Sequence, residues 1–282
     1  MTVLTLVNQK GGVGKTTVVL GLAAVASARG LRVVVVDLDP QANATSGLGV
    51  WRPEATIDQA LADERVGSAI GLAMPSSWST DHVACPPQLI ASSPALAARE
   101  QQLAADPFGS QDRLRVALQG LHADLVLVDC PPALGLLTVN GIFAADGVVV
   151  ITEPGAWSVD GVAQIVHNVT RIAERRGGSP RLAGIVVNKV PRTRDGRYWH
   201  QQLAELHPGL VLDPFIRHRA ALTEAAAQSL PIHALQRDGV AEAVAELDAV
   251  LCALLGLPGA ESSDETSAGD DSLENGDFDG DV

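Results

Sequence analysis

Short runs of consecutive apolar residues alternate along the chain with longer segments whose apolar residues recur every three or four positions. Uninterrupted β-branched runs are typical of parallel strands that helices cover on both faces. The predicted strands are Val3–Val7, Leu31–Asp37, Gln88–Ser92, Asp124–Asp129, Val148–Thr152, Leu182–Val187 and Leu210–Arg217. Helical spacing predicts helices at Val18–Ala28, Ile57–Leu61, Pro94–Ala105, Leu114–Leu121, Leu136–Ala144, Ser158–Arg175, Ala220–Ser229 and Val240–Leu255. The alternation predicts an α/β fold, a doubly wound and mostly parallel sheet of about seven strands with helices on both faces.

Composition narrows the class of protein. Of the 282 residues, 46% are hydrophobic but only 3% are aromatic, so we expect a large core built from Ala, Val, Leu and Ile. Cys85, Cys130 and Cys252 are odd in number and widely spaced, which argues against a disulfide framework or a cysteine metal site and favours a reducing cytoplasm. No apolar stretch reaches the roughly 18 residues expected of a membrane helix.

The net charge of −13 is concentrated near the end of the chain. Glu261–Val282 contains nine acidic residues and no basic residue, and the rest of the chain carries only −4. Global charge is therefore a weak argument against nucleic-acid binding. We predict one folded domain over residues 1–258 and an acidic, disordered tail over residues 259–282.

A glycine-rich segment, Asn8–Thr17 (NQKGGVGKTT), joins the first predicted strand to the first predicted helix. Its glycines can adopt backbone angles closed to other residues, so that successive N–H groups turn inward. The helix that starts near Lys15 adds free N–H groups and the positive end of its dipole. The segment therefore predicts a phosphate-binding loop, in which Lys15 reaches the β- and γ-phosphates and Thr16 ligates Mg²⁺.

The loop departs from the ordinary pattern G-x-x-x-x-G-K-[ST], because Gln9 occupies the place of its first glycine. Lys10 and two glycines follow instead, which gives K-G-G-x-G-K-[ST]-T, the deviant Walker A motif. This motif resembles that of the ParA/MinD family of P-loop ATPases. The alternative, a glycine-rich turn with two solvated lysines, leaves the motifs described next unexplained.

Two further strands end in carboxylates, which a doubly wound sheet places beside the loop. The stretch DLDPQANATSGLG begins at Asp37 and resembles the family's Walker A′ element. The resemblance implies that Asp39 is catalytic and orients the attacking water, that Asp37 is structural, and that Ala42 replaces a usual glycine. Asp129 ends the strand DLVLVD as a Walker B aspartate and is expected to hold Mg²⁺ with Thr16. A helix cap is the alternative for Asp37 and Asp39.

The resemblance also implies ATP or ADP with Mg²⁺ as cofactor. Asn188 follows the strand Leu182–Val187, and its carboxamide can both donate to and accept from adenine, as at the family's V-N position. An ordinary turn residue after a strand is the alternative for Asn188. The implied nucleotide-binding residues are Gly11, Gly12, Val13, Gly14, Lys15, Thr16, Thr17 and Asn188.

Five arginines stand close together in the sequence around the last predicted strand. The stretch IRHRAALTEAAAQSLPI resembles the family segment that carries surface arginines used for DNA. Arginines that meet phosphates bind DNA without reading its sequence and with strong salt dependence. Solvated surface positions are the alternative for any single one. The predicted DNA-binding residues are Arg192, Arg194, Arg197, Arg217 and Arg219.

The resemblance implies a partition ATPase. Its ATP-bound sandwich dimer would bind DNA non-specifically, and hydrolysis stimulated by a ParB-like adaptor would release it. Lys10 would act across the dimer interface on the partner's phosphates. The expected location is the cytoplasm, in association with the nucleoid.

The alternatives are a MinD-like ATPase on a membrane, an ATPase that positions a carboxysome or chemoreceptor, and a non-hydrolysing switch. The helix Val240–Leu255 carries acidic residues where a membrane-binding helix would carry lysines or arginines. We therefore expect no membrane partner.

Overall fold

One seven-stranded sheet organises the chain. The computed structural model describes residues 1–106, 108–213 and 215–258, so the predicted tail lies outside the described residues. The strands are β1 (Thr2–Val7), β2 (Val33–Asp37), β3 (Met74–Pro75), β4 (Gln88–Ile90), β5 (Leu125–Asp129), β6 (Gly147–Thr152) and β7 (Arg181–Val187). Their order is β3-β4-β2-β5-β1-β6-β7. All neighbouring strands pair in parallel except β3, which pairs antiparallel with β4.

Helices cover both faces of the sheet, as the alternating pattern predicts. Their bounds are α1 (Lys15–Ala28), α2 (Asn43–Gly47), α3 (Ile57–Ala62), α4 (Ala95–Ala104), α5 (Arg113–Ala117), α6 (Leu136–Ala144), α7 (Ala156–Arg175), α8 (Arg194–Leu206), α9 (Ala220–Ala227) and α10 (Val240–Leu255). Short 3₁₀-helices lie at Ile70–Leu72 and Ile232–Ala234. In the part of the chain that the structure describes, no helix is both long and apolar enough to cross a membrane.

The sheet lies between two apolar cores, and this explains why the strand interiors are largely apolar. In β2, Val33 and Val35 face the core that contains α1, α9 and α10. Val34 and Val36 face the opposite core, which contains α3–α7. A strand buried on both faces has no position at which a polar side chain would be solvated.

The predicted strand Leu210–Arg217 is wrong. Among the described residues of this segment, only two isolated bridges form, Ile185 with Val211 and Val190 with Arg217. The segment starts after Pro208-Gly209 and contains Pro214, which has no N–H to donate to a ladder. The two-residue edge strand β3 is the seventh strand instead, in a region that the sequence pattern assigns to a loop.

Candidate functional site

The loop between β1 and α1 has the backbone shape that its glycines predict. Gly12 and Gly14 have φ angles of 88° and 81°, in the left-handed region that favours glycine. A Cβ on Gly14 would lie 2.5 Å from Nδ2 of Asn188, so this position also requires the absence of a side chain. The loop therefore presents its backbone at the edge of the sheet where the parallel strands end.

Lys15 and Thr16 meet the carboxylate that ends β5. The Lys15 ammonium donates to one oxygen of Asp129, and both side chains are buried. The hydroxyl of Thr16 donates to the other oxygen of Asp129 at 2.7 Å. Burial lowers the pKa of Lys15, but attraction and hydrogen bonding to Asp129 outweigh it and raise that pKa above its ordinary value. The lysine therefore stays charged.

The end of β2 places a second carboxylate beside the first. Asp37 is fully buried and pairs in register with Asp129 on the neighbouring strand. Its oxygens accept from the N–H of Asp39 at 3.0 Å and from both the N–H and the hydroxyl of Thr45 at 2.8 Å. Burial, and then the charge of Asp129, raise the pKa of Asp37 to about 7. These hydrogen bonds hold the start of the loop after β2.

Asp39 is buried at the same strand edge. One of its carboxylate oxygens accepts from the N–H of Gln41 at 2.9 Å, and its carbonyl accepts from the hydroxyl of Ser92 at 2.7 Å. Burial raises the pKa of Asp39 above its ordinary value, and the N–H of Gln41 and the nearby charge of Lys15 offset this only in part. The structure thus brings Asp39 and Lys15 into one electrostatic environment, and the role of Asp39 in hydrolysis stays a prediction.

Thr16 and Asp129 form a donor set that suits Mg²⁺. A hydroxyl and a carboxylate are hard oxygen ligands, and Mg²⁺ at nucleotide sites takes one or two protein ligands together with phosphate oxygens. The hydrogen bond of Thr16 to Asp129 holds the two donors next to each other. These two residues would hold the ion, which would neutralise charge on the phosphates when bound.

Asn188 lies buried just after β7 and contacts the phosphate loop directly. Its Nδ2 donates to the carbonyl of Val13 at 2.8 Å. The carboxamide therefore joins the end of β7 to the loop that precedes α1. Its contact with adenine stays a prediction.

Lys189 and Glu153 are site residues that the sequence analysis missed. Lys189 donates to the carbonyl of Gly12, and its ammonium lies 3.3 Å from a carboxylate oxygen of Glu153. Lys189 has a φ angle of 55°, which is unusual for a residue with a side chain. Its place directly after Asn188 was the available signal.

Lys10, in the phosphate loop, is exposed. Its carbonyl accepts a hydrogen bond from the side chain of Asn8. The neighbouring Gln9 side chain donates to Gln164 of α7 at 2.7 Å, which ties this part of the loop to that helix. Among the hydrogen bonds and ion pairs of the described residues, none involves the Lys10 ammonium.

The structure brings four of the five predicted arginines around two adjoining cavities next to the loop. Arg192, Arg217 and Arg219 line a cavity of about 480 Å³ together with Lys189. Arg192 and Arg217 also line a second cavity, of about 390 Å³, with Arg197. Arg194, at the first position of α8, is exposed and lines neither cavity.

Arg217 and Arg219 are engaged within the fold, because both pair with Glu246, Arg217 at 3.7 Å and Arg219 more closely. The Arg219 guanidinium lies 2.7 Å from a carboxylate oxygen of Glu246 on α10, and only 11% of its side chain is exposed. The hydrogen bond with Glu246 raises the pKa of Arg219. Arg192, Arg194 and Arg197 form no ion pair with any carboxylate in the described part of the chain.

Comparisons with known proteins agree with this geometry. A family described as an AAA domain matches residues 1–181. The chromosome-partitioning ATPase Soj of Thermus thermophilus is 40% identical over 196 residues, which cover 69% of this chain and 70% of that protein. The chain belongs to the ParA/Soj family of deviant Walker A P-loop ATPases.

Solved structures show the same fold, and two of them hold ATP or an ATP analogue. The ATP complex of a McdA variant from Cyanothece superposes with a TM-score of 0.78 at 21% identity, over 92% of this chain and 97% of that one. Cobyrinic acid a,c-diamide synthase of Mycobacterium smegmatis, with an ATP analogue and magnesium bound, is 28% identical with a TM-score of 0.68, over 81% and 91%. As a member of this family, the chain is an ATPase with ATP and Mg²⁺ as cofactors.

Proposed function

We propose that this chain is a DNA partition ATPase of the ParA/Soj type. With ATP it forms a sandwich dimer that binds DNA without sequence preference, on the nucleoid. Hydrolysis, stimulated by a ParB-like adaptor, dissolves the dimer and releases the DNA.

The observation that carries this proposal is the connection between the nucleotide loop and the arginines. Lys189 donates to the carbonyl of Gly12 in the loop and lines the same cavity as Arg192 and Arg217. Only two residues separate Lys189 from Arg192. A change in the loop on nucleotide binding therefore has a short covalent and hydrogen-bonded path to the DNA surface that we propose.

The positions of the side chains support the following catalytic roles. Lys15 and the loop N–H groups hold the phosphates, and Thr16 and Asp129 hold Mg²⁺. Asp39, buried at the end of the neighbouring strand, orients the attacking water. Phosphate release by the chain should then be slow alone and faster with the adaptor, and an Asp39→Ala variant should bind ATP without releasing phosphate.

A variant of Lys10 tests whether the chain forms the proposed sandwich dimer with ATP. Lys10 is exposed on the loop, as a residue that reaches a partner's phosphates must be. We expect Lys10→Ala to abolish ATP-dependent dimerisation in sedimentation velocity while ATP binding to the monomer is retained. Lys189→Ala, which removes the lysine that contacts the loop from the end of β7 within one chain, is the matched control and should still dimerise. If Lys10→Ala still forms a dimer with ATP, the sandwich-dimer model is contradicted.

Variants of the arginines beside the loop test whether these residues form the proposed DNA-binding surface. We expect the triple variant Arg192→Ala, Arg197→Ala, Arg217→Ala to weaken binding to random duplex DNA in ATP at least tenfold. It should also lower the slope of log affinity against log salt by about one for each phosphate that the variant no longer binds. Arg65→Ala, an exposed arginine paired with Asp63, is the control and should bind normally. Unchanged binding of the triple variant would place the DNA surface elsewhere.

A further inference from the structure

A second arginine-rich surface lies away from the nucleotide site, between α6 and α7. We call it the α6–α7 groove. It encloses about 460 Å³, and no acidic residue lines it. Its basic residues are Arg171, Arg175 and Arg176, and its apolar residues include Leu134, Ile142 and Phe143.

The arginines of the groove lack acidic partners within the described chain. None of the three forms a salt bridge there, whereas Arg29, Arg113 and Arg219 each pair with a carboxylate. The guanidinium of Arg176 lies 5.3 Å from the centre of the Phe143 ring. Its Nη1 is buried and has no hydrogen-bond acceptor among the described residues. Buried donors of this kind normally have an acceptor, so the groove suits a ligand that supplies one.

The lining indicates the chemistry of that ligand. Guanidinium groups favour carboxylates or phosphates, and the apolar residues beside them favour apolar side chains. Duplex DNA would present phosphates to the arginines but would leave the apolar residues uncovered. An acidic peptide with a few large apolar residues satisfies both parts.

The chain itself contains such a segment. Residues 259–282 include nine acidic residues and no basic one, and they also contain Leu273 and Phe278. We propose that this acidic tail docks in the α6–α7 groove of its own chain. It would then cover the groove against DNA and other polyanions, which leaves the arginines beside the nucleotide loop as the exposed basic surface.

The position of the last described residues is compatible with this docking. Arg181, at the start of the edge strand β7, donates to the carbonyl of Leu254 in α10 at 3.1 Å. Arg181 follows the end of α7 by six residues, so α10 and the arginine-bearing end of α7 both finish near the start of β7, on opposite faces of the sheet. The 24 residues after Pro258 can span up to about 80 Å when extended, well beyond the roughly 30 Å length of α7. The tail is therefore long enough to reach the α6–α7 groove.

The docking can be tested in the full-length chain by photo-crosslinking. Phe278→p-benzoylphenylalanine keeps an aromatic ring at the position that we expect to contact the apolar residues. On illumination at low salt, we expect a crosslink within one chain, which peptide mass spectrometry maps to α6 or α7. The yield should fall at least fivefold at 0.5 M salt, because the Debye length shrinks.

Variants separate this proposal from other positions of the tail. Arg171→Glu with Arg175→Glu should lower the crosslink yield at least fivefold, whereas the matched pair Arg192→Glu with Arg197→Glu should leave it unchanged. All four side chains are exposed, so the variants should fold, and retained ATP binding checks this. Crosslinks to the Arg192 region, crosslinks to a second copy, or no effect of the groove variant would overturn the proposal. None of these readouts requires DNA, so they are independent of the proposed partition function.

Discussion

Ala42 replaces a usual glycine of the family, and this replacement should lower the free energy of unfolding. Its φ angle is 54°, in the left-handed region where a side chain is unfavourable by about 1–2 kcal/mol. Its N–H donates to the carbonyl of Asp39 at 2.9 Å, so the turn after β2 fixes this conformation. The glycine that is usual here in the family therefore has a conformational reason.

We expect Ala42→Gly to raise the free energy of unfolding. Relief of the left-handed strain exceeds the extra entropy that glycine gives the unfolded chain, for a net gain of about 0.5–1 kcal/mol. Urea unfolding measures this change. Ala44→Gly, at a buried position in α2, is the control and should lose stability. A loss for Ala42→Gly would show that the turn does not impose the conformation.

Because of Asp37, the free energy of unfolding of the nucleotide-free protein should decrease as the pH rises. The folded pKa of Asp37, about 7 and raised by burial and by Asp129, lies above its unfolded value near 4. Between these values the folded state binds more protons than the unfolded state, so unfolding becomes easier as pH rises.

The comparison with Asp37→Asn isolates this effect, because asparagine does not titrate. We expect the stability advantage of the natural chain over Asp37→Asn to be larger at pH 5 than at pH 8 in urea unfolding. An advantage that is equal at both pH values, or larger at pH 8, would contradict a raised pKa and would mean that the hydrogen bonds from Asp39 and Thr45 keep the folded pKa at or below its ordinary value.

The site residues that could be predicted from the sequence are those that belong to a contiguous motif or end a predicted strand. The glycines and Lys15 belong to one contiguous motif, and Asp129 ends an apolar run, so their proximity follows from the parallel sheet alone. Lys189 could not be assigned in this way. Its contacts with Gly12 and Glu153 depend on how three separate loops meet, which no local pattern encodes.

At the scale of elements, the strands were predictable wherever both faces of the sheet are covered. Elements with a less regular apolar pattern show where prediction from the sequence fails. The segment Leu210–Arg217 is largely apolar, but its described residues form only isolated bridges. Its sequence contains a proline, a residue that has no N–H to donate to a ladder. Helix α8 was missed because its sequence is polar and contains a glycine, and it buries little besides Gly196 and Leu203.

Gly196 provides a test of how α8 is held. Replacing a glycine inside a helix by alanine normally stabilises the protein by about 1 kcal/mol. A Cβ on Gly196, however, would lie 2.8 Å from the Pro191 ring and 2.9 Å from its carbonyl oxygen. We expect Gly196→Ala to lower the free energy of unfolding by at least about 1 kcal/mol, because overpacking of this kind outweighs the gain.

Gly161 in α7 is the matched control for this substitution. A Cβ there would meet only the end of the Gln9 side chain, at 3.7 Å. We expect Gly161→Ala to stabilise the protein by up to about 1 kcal/mol in the same urea experiment. Stabilisation by both substitutions would show that α8 does not pack closely on Pro191.

At the scale of the whole molecule, the alternation of strands and helices was sufficient to predict the fold class. A parallel sheet needs crossover helices, and these helices need apolar stripes toward both faces, so the pattern has few other solutions. The order of the strands was not predictable, because β1 lies between β5 and β6 through contacts distant in sequence. The same topology gathers the phosphate loop, the carboxylates and the arginines of the proposed DNA surface at one edge.

The most direct test of the proposed function is binding to random-sequence duplex DNA with ATP, with ADP and without nucleotide, across a salt series. We predict binding with ATP only, falling steeply with salt, and prolonged in Asp39→Ala because the ATP-bound dimer would persist. Binding that is equal in all three nucleotide states, or absent in all of them, would contradict a nucleotide-controlled DNA partition ATPase.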